Sequence, residues 1–263
     1  MNRASPLSAL LAFVLALACA GVVTGCSGDS DDAAQRLERS MEKSRTLGTR
    51  MSTNMTFKTG AETVRMRARA TTEAGGRRMR MVSTLGGVEM EQYADGSQML
   101  MSVDSLPTNG AFPAGTRWLK FDMDELLKAS GLDASMRELQ QIDPTKAAAL
   151  LKDADIKDAG SGRVRGVAVE RYRATVALKD VAKTLGGKSK LPRAFKDGEV
   201  TVTLALDDED LLRAFDMSGD IGPAKMTMDA EITSYSRDIR IAMPSGEGIY
   251  DMSGALGGLG DPA

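Results

Sequence analysis

Hydrophobic and polar positions alternate along most of this chain. Met51, Thr53, Met55 and Phe57 interleave with Ser52, Asn54, Thr56 and Lys58, a period of two that predicts a strand with one buried face. The same alternation sets Val64, Met66, Ala68 and Ala70 against Arg65, Arg67 and Arg69, Met79 and Met81 against Arg78 and Arg80, and Val88 and Met90 against Glu89 and Glu91; it returns in Met99, Met101 and Val103. Turn residues separate these runs: Thr59-Gly60, Gly75-Gly76, Gly86-Gly87 and Asp95-Gly96. Five strands with short connections predict an antiparallel meander. A helical spacing precedes them, in Ala33, Leu37, Met41, Ser44 and Leu47, with Glu38, Glu42, Arg36, Arg39 and Lys43 on other faces and Gly48 as its stop.

After Pro107 and Pro113, Thr116-Arg117-Trp118-Leu119-Lys120-Phe121 reads as a further strand. Cap signals then predict short helices: Asp122 with Glu125, Ser135 with Glu138, and Asp143-Pro144 before a run of alanines and leucines. A second set of strands covers 164–178, 200–206, 211–215, 226–232 and 239–243, interrupted by an insert through Gly186-Gly187 to Pro192. The tail from Pro244, rich in Gly and Ser, reads as loosely held. Helix, strands, helices and strands in this order predict an α+β domain with one large antiparallel sheet covered by helices.

The N-terminus reads as an address. One positive charge at Arg3 precedes an apolar run from Leu7 to Val23, short for a bilayer core that takes about 20 apolar residues and placed where a removed signal sits. Val23-Thr24-Gly25-Cys26 resembles the bacterial lipobox, whose Cys is acylated and becomes the mature N-terminus. Cys19 would leave with residues 1–25, so the mature chain would hold one thiol and no internal disulfide, and acylation accounts for that thiol in an oxidising compartment. The alternative is an ordinary secretory signal with an incidental Cys. Residues 26–31 read as a flexible tether, 32–245 as a single domain and 246–263 as a flexible tail. An acylated Cys26 anchors a protein to the outer face of the plasma membrane without spanning it.

Composition narrows the function. With 34 Lys+Arg against 36 Asp+Glu there is no basic excess for a nucleic-acid backbone. Histidine is absent from the sequence, which removes Ser-His-Asp and Cys-His catalysis and every imidazole zinc site; neither an enzyme, a cofactor nor a metal is expected. Ser40-Met41-Glu42-Lys43 matches the S-x-x-K of acylating enzymes but lacks that class's companion motifs, and reads as a solvated helix face. Asp207-Asp208-Glu209-Asp210 offers hard oxygens without an EF-hand's spacing and reads as a charged hairpin turn. Gly160 to Gly166 has the wrong spacing for a dinucleotide loop and reads as an ordinary loop.

Two surfaces stand out. Of the 17 methionines, Met51, Met55, Met66, Met79, Met81, Met90, Met99, Met101, Met226, Met228 and Met243 fall on the inward phase of predicted strands. An unbranched, polarisable side chain suits a cavity that accommodates varied acyl chains, and suits ordinary core equally. Arg65, Arg67, Arg69, Arg77, Arg78 and Arg80 fall on the outward phase of two adjacent strands and their turn, as a patch for anionic headgroups or as an exterior balanced by Glu62, Glu73, Glu89 and Glu91.

The lipobox, the N-terminal helix, the two meanders, Thr116 to Lys120 before an acidic helix start, Gly166 to Tyr172, and Val200 to Asp207 closing on an acidic hairpin together resemble the actinobacterial LppX/LprAFG lipoproteins, fold relatives of the LolA and LolB carriers. The resemblance spans roughly residues 30–245 and implies a half-barrel whose concave face, plugged by helices, encloses a hydrophobic cavity for lipids or lipidated molecules. Leu204-Ala205-Leu206 stands where that family often has aromatic residues, so ligand identity does not carry over. The expectation is a lipid-anchored envelope lipoprotein that binds or carries amphiphiles. Its alternative is a structural envelope lipoprotein with a solid core that contacts protein partners.

Overall fold

A computed structural model describes residues 35–37, 39–40, 42–44, 46–104, 112–123, 125, 156–177, 198–221 and 224–252. The expected signal, Cys26 and the tether lie outside these residues, as do the helix starts at Ser135 and Asp143 and the insert before Pro192.

Twelve strands form one sheet: β1 (Gly48–Thr59), β2 (Glu62–Thr72), β3 (Arg78–Leu85), β4 (Val88–Asp95), β5 (Gln98–Ser102), β6 (Trp118–Asp122), β7 (Lys157–Val164), β8 (Val167–Ala177), β9 (Glu199–Leu206), β10 (Leu212–Ile221), β11 (Ala224–Ser236) and β12 (Ile249–Asp251). Their order is β12-β6-β5-β4-β3-β2-β1-β11-β10-β9-β8-β7. Each meander is thus a run of sequential hairpins, and the two meet at the centre, where β1 pairs antiparallel with β11 from Gly48 opposite Ser236 to Thr59 opposite Ala224. The hairpins form where the turn chemistry lies: Gly86 and Gly87 supply the two consecutive positive φ angles (59° and 86°) that a two-residue link between Leu85 and Val88 requires.

The expected α+β half-barrel, antiparallel and sealed on its concave face by helices, is corrected by this arrangement. The sheet is open, its outer strands β12 and β7 being unpaired with one another, and it is mixed, because β12 pairs parallel with β6. Helix among the described residues is confined to α1, whose described residues are 35–37, 39–40 and 42–44, and to the start of a turn after β6, where the Asp122 carboxylate accepts the Glu125 N–H at 3.3 Å as its cap signal predicts. Strands of up to 13 residues take up most of the described chain.

Three local expectations also change. Gly160 to Gly166 is largely strand: β7 pairs with β8, with an irregular register at Gly160. The Arg171 guanidinium lies over Gly162, where a Cβ would make that flexible side chain move aside, and on a glycine-rich outer strand alternation is no guide. The run 239–243 is not strand, yet Ile239 and Ile241 are buried, and the Ile241 N–H donates to Glu73 Oε1 at 2.6 Å. That segment folds back on the start of β1. Within the segment read as a loose tail, β12 adds itself to the sheet, while the Gly248 carbonyl accepts the N–H groups of Arg117 (2.8 Å) and Trp118 (3.0 Å).

Candidate functional site

Cross-strand register sorts the sheet into two faces. Opposite one another on the first lie Met55, Met66 and Met228, then Met51 and Ala70, Ala70 and Met81, and Phe57 and Met226; the row continues to Met217, Val202 and Ala174 on one side and to Met79, Met90, Met99, Met101 and Phe121 on the other. This methionine face is graded. Met55, Met81, Met226 and Met228 are buried; Met51, Met66, Met79, Met90, Met99 and Met101 are half-buried. Val64 and Val88, where β2 and β4 begin, are 46% and 44% exposed. Met55, Ala68, Met81 and Met228 form one packed cluster with Phe57, Met66, Phe215 and Met217 against it. Fully burying one such side chain stabilises by about 1.5–3 kcal/mol, so the centre of this face is core. The sequence-predicted methionines of the sheet therefore do come together on one face; Met243 lies outside the strands.

The opposite face is polar and divided in charge. Asn54 Nδ2 donates to Asp229 at 2.6 Å. Burial raises the Asp216 carboxyl above its ordinary value, and the neighbouring Asp229 and Glu231 charges add to this against Arg171. Toward β2 the face turns basic. The arginine patch read from the sequence splits here: Arg77 and Arg78 donate to Asp95 at 2.7 and 2.9 Å, and Arg80 to Glu91 at 2.7 Å. Hydrogen bonds from Arg78 and then Arg77 hold the Asp95 carboxyl below the usual range. Arg65, Arg67 and Arg69 are exposed and have no carboxylate partner among the described residues. Two hollows lie on this polar face. One, of about 420 Å³, is lined by Arg50, Ser52, Arg69, Thr71, Arg80 and Glu89; the other, of about 660 Å³, by Arg173, Thr175, Thr203, Asp216, Ser218 and Asp229.

A third group, unanticipated in the sequence, fixes α1. Arg36 donates through Nε to Asp210 at 2.7 Å, through Nη2 to the Asp207 carbonyl at 2.7 Å and through Nη1 to the Tyr172 hydroxyl at 2.9 Å and to Glu170. Arg39 takes the other Asp210 oxygen at 2.7 Å, and the Lys43 ammonium donates to the Glu209 carbonyl. Burial works to raise the Asp210 carboxyl, but the hydrogen bonds from Arg39 and Arg36 outweigh it and hold it below its ordinary value. Beneath them Asp207, 1% exposed, organises the β9–β10 turn: Oδ1 accepts the N–H groups of Glu209 (3.0 Å) and Leu211 (2.8 Å), and Oδ2 accepts Arg213 Nε at 2.6 Å. Tyr235 donates to the Leu212 carbonyl at 2.5 Å, and burial pushes its hydroxyl up to about 12. The acidic run is thus a hairpin turn, as read. Ser40 is buried instead of solvated, and Lys43 reaches the turn. No group of three Asp, Glu, Cys or His side chains suited to a metal occurs among the described residues.

No family model matches the chain, and no curated protein matches it. Among solved structures, the chain is similar to LprF from Mycobacterium bovis (14% identity, 82% of this chain and 98% of that one, TM-score 0.47) and to the Mycobacterium tuberculosis lipoprotein LppX (12% identity, 79% and 97%, TM-score 0.47). It is also similar to a chain of the Pseudomonas aeruginosa MucA/MucB complex (14% identity, 82% and 62%, TM-score 0.39). The lipoprotein resemblance read from the sequence is met again in the first two of these structures.

Proposed function

We propose that this protein is an exported, lipid-anchored envelope lipoprotein that binds an amphiphile on the methionine face of its sheet, without catalysing a reaction on it. The observation that carries the reading is the graded apolar face: a packed centre at Met55, Met81 and Met228, flanked by half-buried methionines that extend it to β5 and end in exposed valines. Unbranched thioethers rearrange around a flexible acyl chain at lower cost than branched residues do. The lipobox at Cys26 supports the anchor. The buried centre, together with the placement of both hollows on the polar face, also favours a second reading, a solid-cored lipoprotein that acts through protein partners.

Tryptophan substitution separates the two. At half-buried Met66 and Met101, Trp should lower uptake of a fluorescent fatty acyl probe about tenfold, equivalent to about 1.4 kcal/mol, with the thermal midpoint little changed. At buried Met81 and Met228 the same change should overpack the core and cost about 1–3 kcal/mol. Destabilisation at all four sites, with no uptake by the parent protein, would establish the solid-cored reading.

A further inference from the structure

Among the described residues, basic side chains outnumber acidic ones in a wall of the polar face at one end of the sheet. Arg50 and Arg69 line the 420 Å³ hollow with Ser52, Thr71 and one carboxylate, Glu89, and neither guanidinium has a partner among the described residues. Arg80, also in the wall, is already paired with Glu91. Arg65, Arg67 and Arg69 follow one another at two-residue spacing on β2, so three like charges, none with a carboxylate partner among the described residues, share one face and repel. A bound anion would relieve that repulsion, and guanidinium groups match phosphate oxygens in a bidentate fork. The register of β1 against β11 shifts between Arg50 and Met51, which re-aims the backbone beside the hollow.

Position identifies the source of the anion. The start of β1 lies opposite the end of β11, the start of β10 opposite the end of β9, and α1 is fastened to the β9–β10 turn through Arg36 and Arg39. The hollow and the beginning of the described chain therefore share one end of the sheet. Only nine residue steps separate Cys26 from Gln35, a reach of about 30 Å when extended. We propose that the hollow walled by Arg50 and Arg69 binds the phosphoryl headgroup of an anionic lipid in the membrane that holds Cys26, seating the sheet end-on against the bilayer. The source of the headgroup rests on the anchored reading; the anion chemistry does not.

The test uses a chain beginning at residue 26 with Cys26→Ser, which retains every described residue, since these run from 35 to 252, and carries no acyl group. It is floated with vesicles of neutral phosphatidylcholine, alone or with anionic phosphatidylglycerol. The proposal expects binding to the anionic vesicles only, weakened about fivefold by Arg50→Gln and again by Arg69→Gln, the effect of one basic side chain at such a surface, with unchanged thermal midpoints. Lys225→Gln, an exposed charge at the opposite end of β11, should leave binding intact. Equal binding to both vesicle types, or an equal loss from Lys225→Gln, would overturn the site. Displacement of the protein from vesicles by free glycerol phosphate at a concentration only equal to that of the headgroup would overturn the membrane source in favour of a small phosphorylated ligand. Absence of acylation at Cys26 in the native protein would count against the anchor alone, because the vesicle assay does not depend on it.

Discussion

Asp207 shows how much of this molecule turns on single side chains. Its carboxylate is buried and satisfies two backbone N–H groups of its own turn and the Arg213 guanidinium. Removing it leaves a partly exposed cation and two amides, one of them buried, without their acceptor. Breaking a fully buried pair costs about 3–5 kcal/mol, and because water reaches Arg213, Asp207→Ala should lower the unfolding free energy by about 2–3 kcal/mol in a denaturant titration. Asp207→Asn, which keeps an acceptor oxygen for the turn, should cost distinctly less; equal losses would assign the whole effect to the charge. The sequence pointed to a charged turn, because four acidic residues between apolar runs read as solvated. It did not distinguish Asp207 from its neighbours. The available signal was the ability of an Asp at the start of a turn to accept backbone N–H groups two residues on. Arg36 escaped for a related reason: on a helix its phase places it off the apolar stripe, and only the long-range arrival of Tyr172 and Asp210 buries it.

At the scale of elements, the described residues of α1 are held both by apolar packing and by ion pairs. Leu37 is its buried anchor, joined to Ile156, Tyr172 and Leu206, while Arg36 and Arg39 converge on one carboxylate. Because the folded Asp210 carboxyl is held below its ordinary 3.8, its contribution is fully present above that value and is lost as pH falls through the lower folded one. The thermal midpoint of Asp210→Asn should therefore lie below that of the parent by a constant margin at neutral and mildly acid pH, and the margin should close only below 3.8. A margin that widens on acidification would contradict this account of the latch. The hairpins β1 to β5 were legible in the sequence because alternation and glycine turns are local signals. β7 and β12 were not. One is rich in glycine, and the other is three residues long and pairs in parallel with a strand far away in the sequence. Among the described residues the expected helical cover is not met, since cap signals report where a helix could start and not what it packs on; those at Ser135 and Asp143 lie outside the described residues.

The described residues form a single open sheet with two unlike faces, methionines on one and divided charge on the other, and with the described part of the N-terminal helix fastened at the end where the arginine hollow lies. The faces follow from strand period and register and were readable residue by residue; the meeting of the two meanders at β1 and β11, which makes one continuous apolar face from two, depends on pairing across most of the chain and was not. In the proposed function an acylated protein holds an amphiphile on that face. Native mass spectrometry of the protein released gently from membranes tests it most directly. The expected spectrum shows a chain beginning at Cys26, heavier than its polypeptide by covalent acyl groups, and a further mass in the range of a lipid that leaves on collisional activation without unfolding the chain. A spectrum showing the polypeptide with no dissociable lipid-sized mass, from a preparation whose charge states report a folded protein, would contradict it.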